Sequence, residues 1–491
     1  MAVRLVYSDI ALGAADNATV TVADRENFAT PSLLPHGVPS VAIATLEPNG
    51  WGLTHDYKVR GSHSFALWSK SRSDADCVFA APPVITLDFS NQYTATGITI
   101  RFAQESMDYC RKVGIVWYQG GTVKESGTYY PEAPFFVIEN TVTAFDKIVI
   151  ALYETNLPGK RAKIEYIGIG VVREFTGKEL TGATFTHEVD LISNTVPINV
   201  MDASFHSNSD TEYIFQRKQP VEAYNDDALI GVYYIESGLQ TGERDFSISC
   251  QDAISTLDLV TYDGGLWLND TPAATILEDV IGGMFELDID PALASSTLRG
   301  YVEPGTRRAA LQQVAFALGA CVDTSGSKKI RVFPVPVGAG TEIPPDETYM
   351  GGSVNTAAIV TEVTVTAYVI TDERPGESDY SIVHNGVAYR YYTDTKHAYN
   401  PNVVSGDLEN KLKFIGCYLC NLSNAQRLAD NILDYYMRRR TYSAKHIVSG
   451  QNMGDRATVQ LPWGGTVGGN ITKMTVSVTG LTVSDTEFLL D

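Results

Sequence analysis

QNMGDRATVQLPWGGTVGGNITKMTVSVTG, residues Gln451 to Gly480, contains two runs of alternating residues joined through a glycine-rich connection. Strict alternation places apolar side chains on one face of a strand and polar ones on the other, and glycines between two such runs allow the chain to reverse. No group in the stretch is suited to acid–base, nucleophilic or metal chemistry. It reads as a structural hairpin.

Immediately upstream, NAQRLADNILDYYMRRR places Leu428, Ala429, Ile432, Leu433 and Tyr436 on one helical face. A long helix over about 423–439 is expected. Arg438, Arg439 and Arg440 would close its last turn, where cations complement the helix dipole, as a solvated or subunit-facing end. Further back, TEVTVTAYV alternates Val363, Val365, Ala367 and Val369 with Thr364, Thr366 and Tyr368. Residues 341–491 thus read as a β-unit interrupted by one helix.

Between about 262 and 340 the period changes to that of a helix. TPAATILEDVIGG offers Thr271 as N-cap, Pro272 at the first helical position, a stripe of Ile276, Leu277, Val280 and Ile281, and a stop at Gly282 and Gly283. GTRRAALQQVAFALG offers Thr306 as cap, a stripe of Leu311, Val314, Ala315 and Leu318, and Gly319 as terminator, followed by the hairpin CVDTSGSKKIRVFPV. A small α/β unit is expected here.

Residues 174–261 form another β-unit. In GATFTHEVDL, Ala183, Phe185, Val189 and Leu191 share one phase, and His187 sits with them. Residues 41–173 are also β throughout: Ile85, Leu87 and Phe89 alternate in VITLDFS, Ile98, Ile100 and Phe102 in GITIRF, and FDKIVIAL and RAKIEYIGIG continue the pattern. That region reads as a β-sandwich. Residues 1–40, with one strand-like run AVRLVYS, read as an entry segment. The fold class is mainly β and multidomain, in keeping with 491 residues, 26 tyrosines and 41 glycines.

The charge balance, 37 Lys plus Arg against 58 Asp plus Glu for a net −21, disfavours phosphate-backbone recognition, so no nucleic-acid partner is expected. No apolar run reaches the length of a membrane span and MAVRLVYSD lacks a signal-peptide core, so a soluble chain made in the cytosol is expected. Six cysteines are too sparse for a disulfide framework, and Cys250 falls on the apolar phase of DFSISCQD as a buried thiol. The C-x-x-C of Cys417 and Cys420 lacks both a second pair at zinc spacing and a βαβ setting.

Catalytic patterns are missing. HEVDL has Leu191 where a zincin needs its second histidine, so His187 reads as a packed or edge residue. GKEL and GIGVV are incomplete phosphate and dinucleotide motifs, and no G-x-S-x-G occurs. Glu286, Asp288 and Asp290 alternate in FELDIDP as the wet side of a strand would, although paired carboxylates are also what a glycoside hydrolase requires. No metal and no cofactor is expected, and the chain reads as a non-enzyme.

The C-terminal order of helix LADNILDYYMRRR, strand, GDRATVQLP, glycine turn and GNITKMTVSVTG resembles the end of the hub proteins of bacteriophage tails and related contractile particles. DFSISCQDAISTLDL and the two-helix unit fit the same family, so the resemblance covers about 174–491. It implies two hub-type β-barrels (174–261 and 341–491) flanking a small α/β domain (262–340), and a homotrimer that matches a six-fold tail tube to a three-fold spike or tip. Its partners would be further copies of itself, tail-tube or distal tail proteins, and a spike or tip protein, in a tail tip or baseplate.

A second resemblance lies in residues 41–173, where IATLEPNGWGL, ALWSKS, PPVITLDFS, TGITIRF, VGIVWY, FDKIVIAL and IEYIGIG look like the galactose-binding-like (discoidin-type) β-sandwich of some tail-tip hubs. Such a module is either a spacer or a grip on host cell-wall carbohydrate. Pyranose rings stack on exposed aromatics, which makes Trp51, Tyr57, Trp68, Tyr129 and Tyr130 the carbohydrate-binding candidates. Trp68 in FALWSKS also has the setting of a core plug.

Overall fold

The computed structural model describes residues 3–11, 13–36, 52–53, 59–60, 66–103, 106–177, 179–206, 215, 217–226, 228–376, 379–404, 406, 408–448, 450–478 and 482–491. Of the described residues, 53% lie in strands and 11% in helices, which makes the fold mainly β and multi-sheet. It divides into two units, residues 6–174 and residues 1–5 with 175–491. Residues 1–40 are no mere entry segment, since Ala18–Val22 pairs with Ile85–Phe89 and Leu34 lies in the core of the first unit.

The first unit is built on two very long strands, Val84–Phe102 and Phe135–Thr155. They pair antiparallel in two blocks, Val84–Asp88 with Lys147–Ala151 and Gly97–Arg101 with Phe135–Glu139, with register breaks between them. The first block is flanked by Ala18–Val22 and by Cys110–Gln119, and the second by Lys163–Gly168. Each break adds residues to one strand and bends it, so both blocks turn the same side inward. Ile85, Leu87 and Phe89 share one core with Ile98, Ile100 and Phe102 and with Ile148, Ile150 and Leu152. Each such side chain contributes roughly 1.5–3 kcal/mol by leaving water.

At Gly97 the two long strands approach so closely that a Cβ would sit 2.0 Å from the Ile138 carbonyl oxygen, and only glycine fits. Thr99, which alternates with the apolar Ile98 and Ile100 and so falls on the opposite face of the strand, is fully buried. Its hydroxyl donates to the Gly170 carbonyl and accepts from the Val172 amide, both at 2.9 Å, which removes the cost of burial.

In the second unit the hairpin foreseen in Gln451–Gly480 forms: Arg456–Gln460 pairs with Thr466–Asn470, and Gly464 and Gly465 turn the chain with φ of 93° and 85°. The strand Thr466–Val478 then runs on past its hairpin partner. Its later residues pair with Leu180–Glu188, matching Phe185 to Val476 and His187 to Met474. The stretches expected as two barrels are thus joined in one sheet, antiparallel along this path, with Thr341–Glu342 added parallel to Ala457–Thr458. From this central pair the sheet extends one way through Val200–His206, Asp245–Gln251, Ala228–Gln240 and Pro220–Asn225, and the other way through Thr482–Leu490, Arg440–Ile447 and Ser353–Thr356. Residues 482–490 are therefore an interior strand of this sheet, paired on both sides.

Among the described residues five α-helices accompany the strands: α1 (Ala253–Leu257), α2 (Ala273–Ile281), α3 (Pro291–Ala294), α4 (Arg307–Leu318) and α5 (Ala425–Met437). The stripes read for α2, α4 and α5 are buried, apart from half-buried Tyr436. Thr306 caps α4 by accepting from the Ala309 amide at 3.2 Å. Thr271 does not cap α2, because it lies in the strand Gly265–Pro272, paired with Leu298, and its hydroxyl donates to the Asn269 carbonyl. A separate sheet, Tyr380–His384, Val387–Tyr399, Glu362–Ile370 and Lys411–Phe414, packs against α5. Tyr368, expected on its polar phase, is buried among Tyr391 and Tyr418.

The three arginines lie beyond α5 rather than in its last turn. Arg438 donates to Asn470 Oδ1 at 2.7 Å and Arg439 to the Ala357 carbonyl at 2.9 Å, while Arg440 opens a strand. No helix of the described residues is long and apolar enough to cross a membrane.

Candidate functional site

Three places in the chain bring chemically distinctive side chains together. The first involves the aromatic candidates of the N-terminal unit. Trp51 and Tyr57 fall outside the described residues. Trp68 is only 3% exposed, with Lys163 Nζ 4.8 Å from its ring centroid and the Phe28 ring edge-on at 5.5 Å. It has no open face for a pyranose, so the plug alternative describes its position. Tyr129 is half-buried against the core, and Tyr130 beside it is 64% exposed. Trp68 and Tyr129 lie on strands at opposite ends of the sheet order. Of the three candidates among the described residues, Tyr129 and Tyr130 are neighbours and Trp68 lies apart from them.

Below Trp68 lies a buried ion cluster. Asp108, 2% exposed, meets Lys160 and Lys163, each at 2.9 Å. Burial pushes the Asp108 carboxyl upward, but the two ammonium groups outweigh it and hold the carboxyl below its ordinary value. The cluster fixes the loops at one end of the strands and offers no second acid for catalysis.

The second place is the junction of the central strand pair with the α/β layer. His187 is buried, its ring nearly parallel to Tyr233 with Nε2 2.5 Å from the tyrosine oxygen, and desolvation lowers its pKa to about 4. This is the packed histidine expected of HEVDL. Asp252 stands between the strand Asp245–Gln251 and α1, which it caps by accepting from the Ile254 amide at 3.1 Å. Burial raises its pKa to about 7, against hydrogen bonds that favour ionisation.

Asp323, at the end of the strand Ala320–Asp323, is likewise buried and raised, and accepts from Ser325 and Asn199. Asn199, Asp252, Asp323 and Thr324 were not singled out in the sequence. An aspartate directly between a strand and a helix, as in SCQDAIS, was the available N-cap signal for Asp252. Their partners are internal, which describes a join between layers.

The third place is an apolar recess of about 710 Å³ walled by Leu191, Phe316, Leu318, Ile432 and Tyr435. The guanidinium groups at its rim are engaged: Arg427 with the Leu318 carbonyl, Arg438 with Asn470, and Arg456 with Asp491.

Glu286 and Asp288 lie exposed, with Glu286 paired to Lys329 at 2.8 Å. Asp288 lies on the wet side of the short strand Leu287–Ile289 and Glu286 just before it, while Asp290 instead caps α3 by accepting from the Ala292 amide at 2.8 Å. Among the described residues, no three His, Cys, Asp or Glu side chains converge as metal ligands. Cys250 is a buried thiol whose pKa burial raises.

No protein-family model and no curated protein matches the sequence. Among solved structures the chain is similar to a tail protein from Neisseria meningitidis MC58, with a TM-score of 0.48 and 11% identity over 65% of this chain and 94% of that one. It is similar to the 43 kDa tail protein of prophage MuSo2 from Shewanella oneidensis, with a TM-score of 0.45 and 8% identity over 65% and 96%. Prophage tail protein gp18 from Listeria monocytogenes EGD-e gives a TM-score of 0.43 and 9% identity over 64% and 91%. Scores of this size describe a partial likeness in the course of the chain.

Proposed function

We propose that this chain is a structural, non-enzymatic subunit at the tip or baseplate of a phage or phage-like tail, in which three copies form a hub between a six-fold tube and a three-fold spike or tip. The observation that carries the reading is the pairing of Leu180–Glu188 with Thr466–Val478. An antiparallel pair has a local two-fold axis, and antiparallel strands run outward from this one on both sides. One chain thus carries two β-halves side by side, so three chains related by a three-fold axis carry six. The order of helix, strand and glycine hairpin in residues 428–480, which resembles the end of tail hubs, supports the same reading.

On this reading the partners are two further copies of the chain, tail-tube or distal tail proteins and a spike or tip protein, and the site of action is the particle after synthesis in a bacterial cytoplasm. The mass of the purified chain in solution, alone and with a tube protein, tests it. A trimer in either sample is the expected result, and a monomer in both would overturn it.

A second reading, a grip on host cell-wall carbohydrate through residues 41–173, is favoured by the exposed ring of Tyr130 beside Tyr129. Retention on a glycan array that is lost in Tyr130→Ala would establish it, and equal retention by both chains would remove this pair from consideration.

A further inference from the structure

Of the six cysteines only Cys417 is part-exposed; the other five are buried. Cys417 and Cys420 are also adjacent in space. The Cys420 amide donates to the Cys417 carbonyl at 3.0 Å, closing a four-residue turn. Such a turn holds its first and fourth Cα atoms within about 7 Å, and disulfides span about 4.4–6.8 Å.

The turn is held from several sides. Cys417 Sγ lies 3.4 Å from the Gln313 carbonyl of α4, the Tyr368 amide donates to the Cys420 carbonyl at 2.7 Å, and the Tyr301 amide to the Tyr418 carbonyl at 3.4 Å. Leu419 belongs to the core around α2 and α4, and Cys420 to the core around α5.

We infer that Cys417 and Cys420 form a redox-active dithiol that low-molecular-weight disulfides of the glutathione class oxidise to an intramolecular disulfide, with Cys417 as the attacking thiol and Cys420 as the resolving one. Cys417, the one part-exposed cysteine residue, attacks as thiolate one sulfur of the small disulfide, whose S–S bond breaks and releases one thiolate. The Cys420 thiol gives its proton to that thiolate or to water and attacks the Cys417 sulfur, expelling the second small thiolate. In sum, two protein thiols and one small disulfide become one protein disulfide and two small thiols.

Local electrostatics agree with the division of roles. The neighbouring Cys420 thiol, together with the Leu419 and Cys420 amides, lowers the Cys417 pKa, while Cys417 and burial raise that of Cys420. The closed ring is short, so the bond acts as a lock on one turn between two cores rather than as a staple of the fold. A chain that passes from a reducing to an oxidising compartment would switch at this turn. The inference stands independently of the hub reading.

The test is to incubate the folded full chain with oxidised glutathione, alkylate the remaining thiols and digest with trypsin. Cleavage after Lys413 and Arg427 isolates both cysteines in one peptide, Phe414–Arg427. The expected result is that this peptide is recovered two hydrogen atoms lighter and unalkylated, while Cys77, Cys110, Cys250 and Cys321 stay reduced. Cys420→Ala should accumulate a glutathionyl group on Cys417, and Cys417→Ala should leave Cys420 unmodified. Should a variant fail to fold, the wild-type peptide decides alone. Recovery of Phe414–Arg427 with both thiols free, or oxidation spread evenly over all six cysteines, would overturn the inference.

Discussion

Thr324 donates its hydroxyl hydrogen to Asp252 Oδ2 at 2.6 Å, and so ties the end of the strand Asp245–Gln251 to the end of the strand Ala320–Asp323. Asn199 reinforces the tie, donating to Thr324 Oγ1 at 2.9 Å and to Asp323 Oδ1 at 3.3 Å. Here buried polar groups of the β-sheet satisfy those of the α/β layer. The layer is thereby fixed relative to the strand pair on which the proposed function depends.

Asp252 and His187 make opposing contributions to the pH dependence of stability. Burial raises Asp252 from 3.8 to about 7, so its contribution to stability is complete below about 4 and is lost as pH rises to 7. Desolvation lowers His187 from 6.5 to about 4, so its contribution is complete above 6.5 and is lost as pH falls to 4. Within that window the folded chain holds the proton on Asp252 and the unfolded chain holds it on His187, and the two slopes oppose each other.

Denaturant midpoints measured against pH in single variants separate them. Asp252→Asn should lose stability on acidification from about 6.5 to 4, by on the order of 3 kcal/mol. His187→Phe should lose stability in the opposite direction. Parallel profiles for the two variants would disprove the compensation.

Asp108 predicts a core failure in the N-terminal unit. Asp108→Ala removes the Asp108 carboxylate from the Lys160 and Lys163 ammoniums, which are 5% and 2% exposed. A loss of about 3–5 kcal/mol is expected, read as a lowered thermal midpoint of that unit. Because the Asp108 pKa is held low, the stability it confers in the wild type is present above 3.8 and is lost as pH falls through its folded value.

Gly300 predicts a backbone clash. Its φ is 144°, and a Cβ there would lie 2.1 Å from the Tyr418 carbonyl oxygen. Gly300→Ala should cost about 1–3 kcal/mol or more, whereas Gly305→Ala, with nothing within 4 Å of its added Cβ, should shift the melting temperature little. Equal shifts would remove the explanation.

Trp68 and Tyr130 should behave oppositely. Trp68→Ala removes a plugged indole and should cost about 3–5 kcal/mol. Tyr130→Ala removes an exposed ring and should leave the melting temperature unchanged while abolishing any glycan retention.

These comparisons also mark what the sequence disclosed. Alternation in VITLDFS and GATFTHEVDL located the buried faces because burial of one face forces a period of two, and the stripes of α2, α4 and α5 followed from the period of a helix. Pairing was hidden. Glu188 and Lys473 form an ion pair across 285 residues of sequence, and nothing local specifies that partner. Nor was the burial of Thr99 and Tyr368 legible, because their coverings, Gly170–Val172 and Tyr418, come from elsewhere in the chain. The plug setting of Trp68 was legible in FALWSKS, but its contacts, Lys163 and Phe28, come from distant parts of the chain that no local spacing reveals.

The central claim is that each chain supplies two of six β-halves to a three-fold hub. Electron microscopy of the assembled chain tests it most directly. The account predicts a ring of three copies with a central opening and six similar lobes on one face. A closed assembly with only three lobes, or with a subunit number not divisible by three, would contradict it.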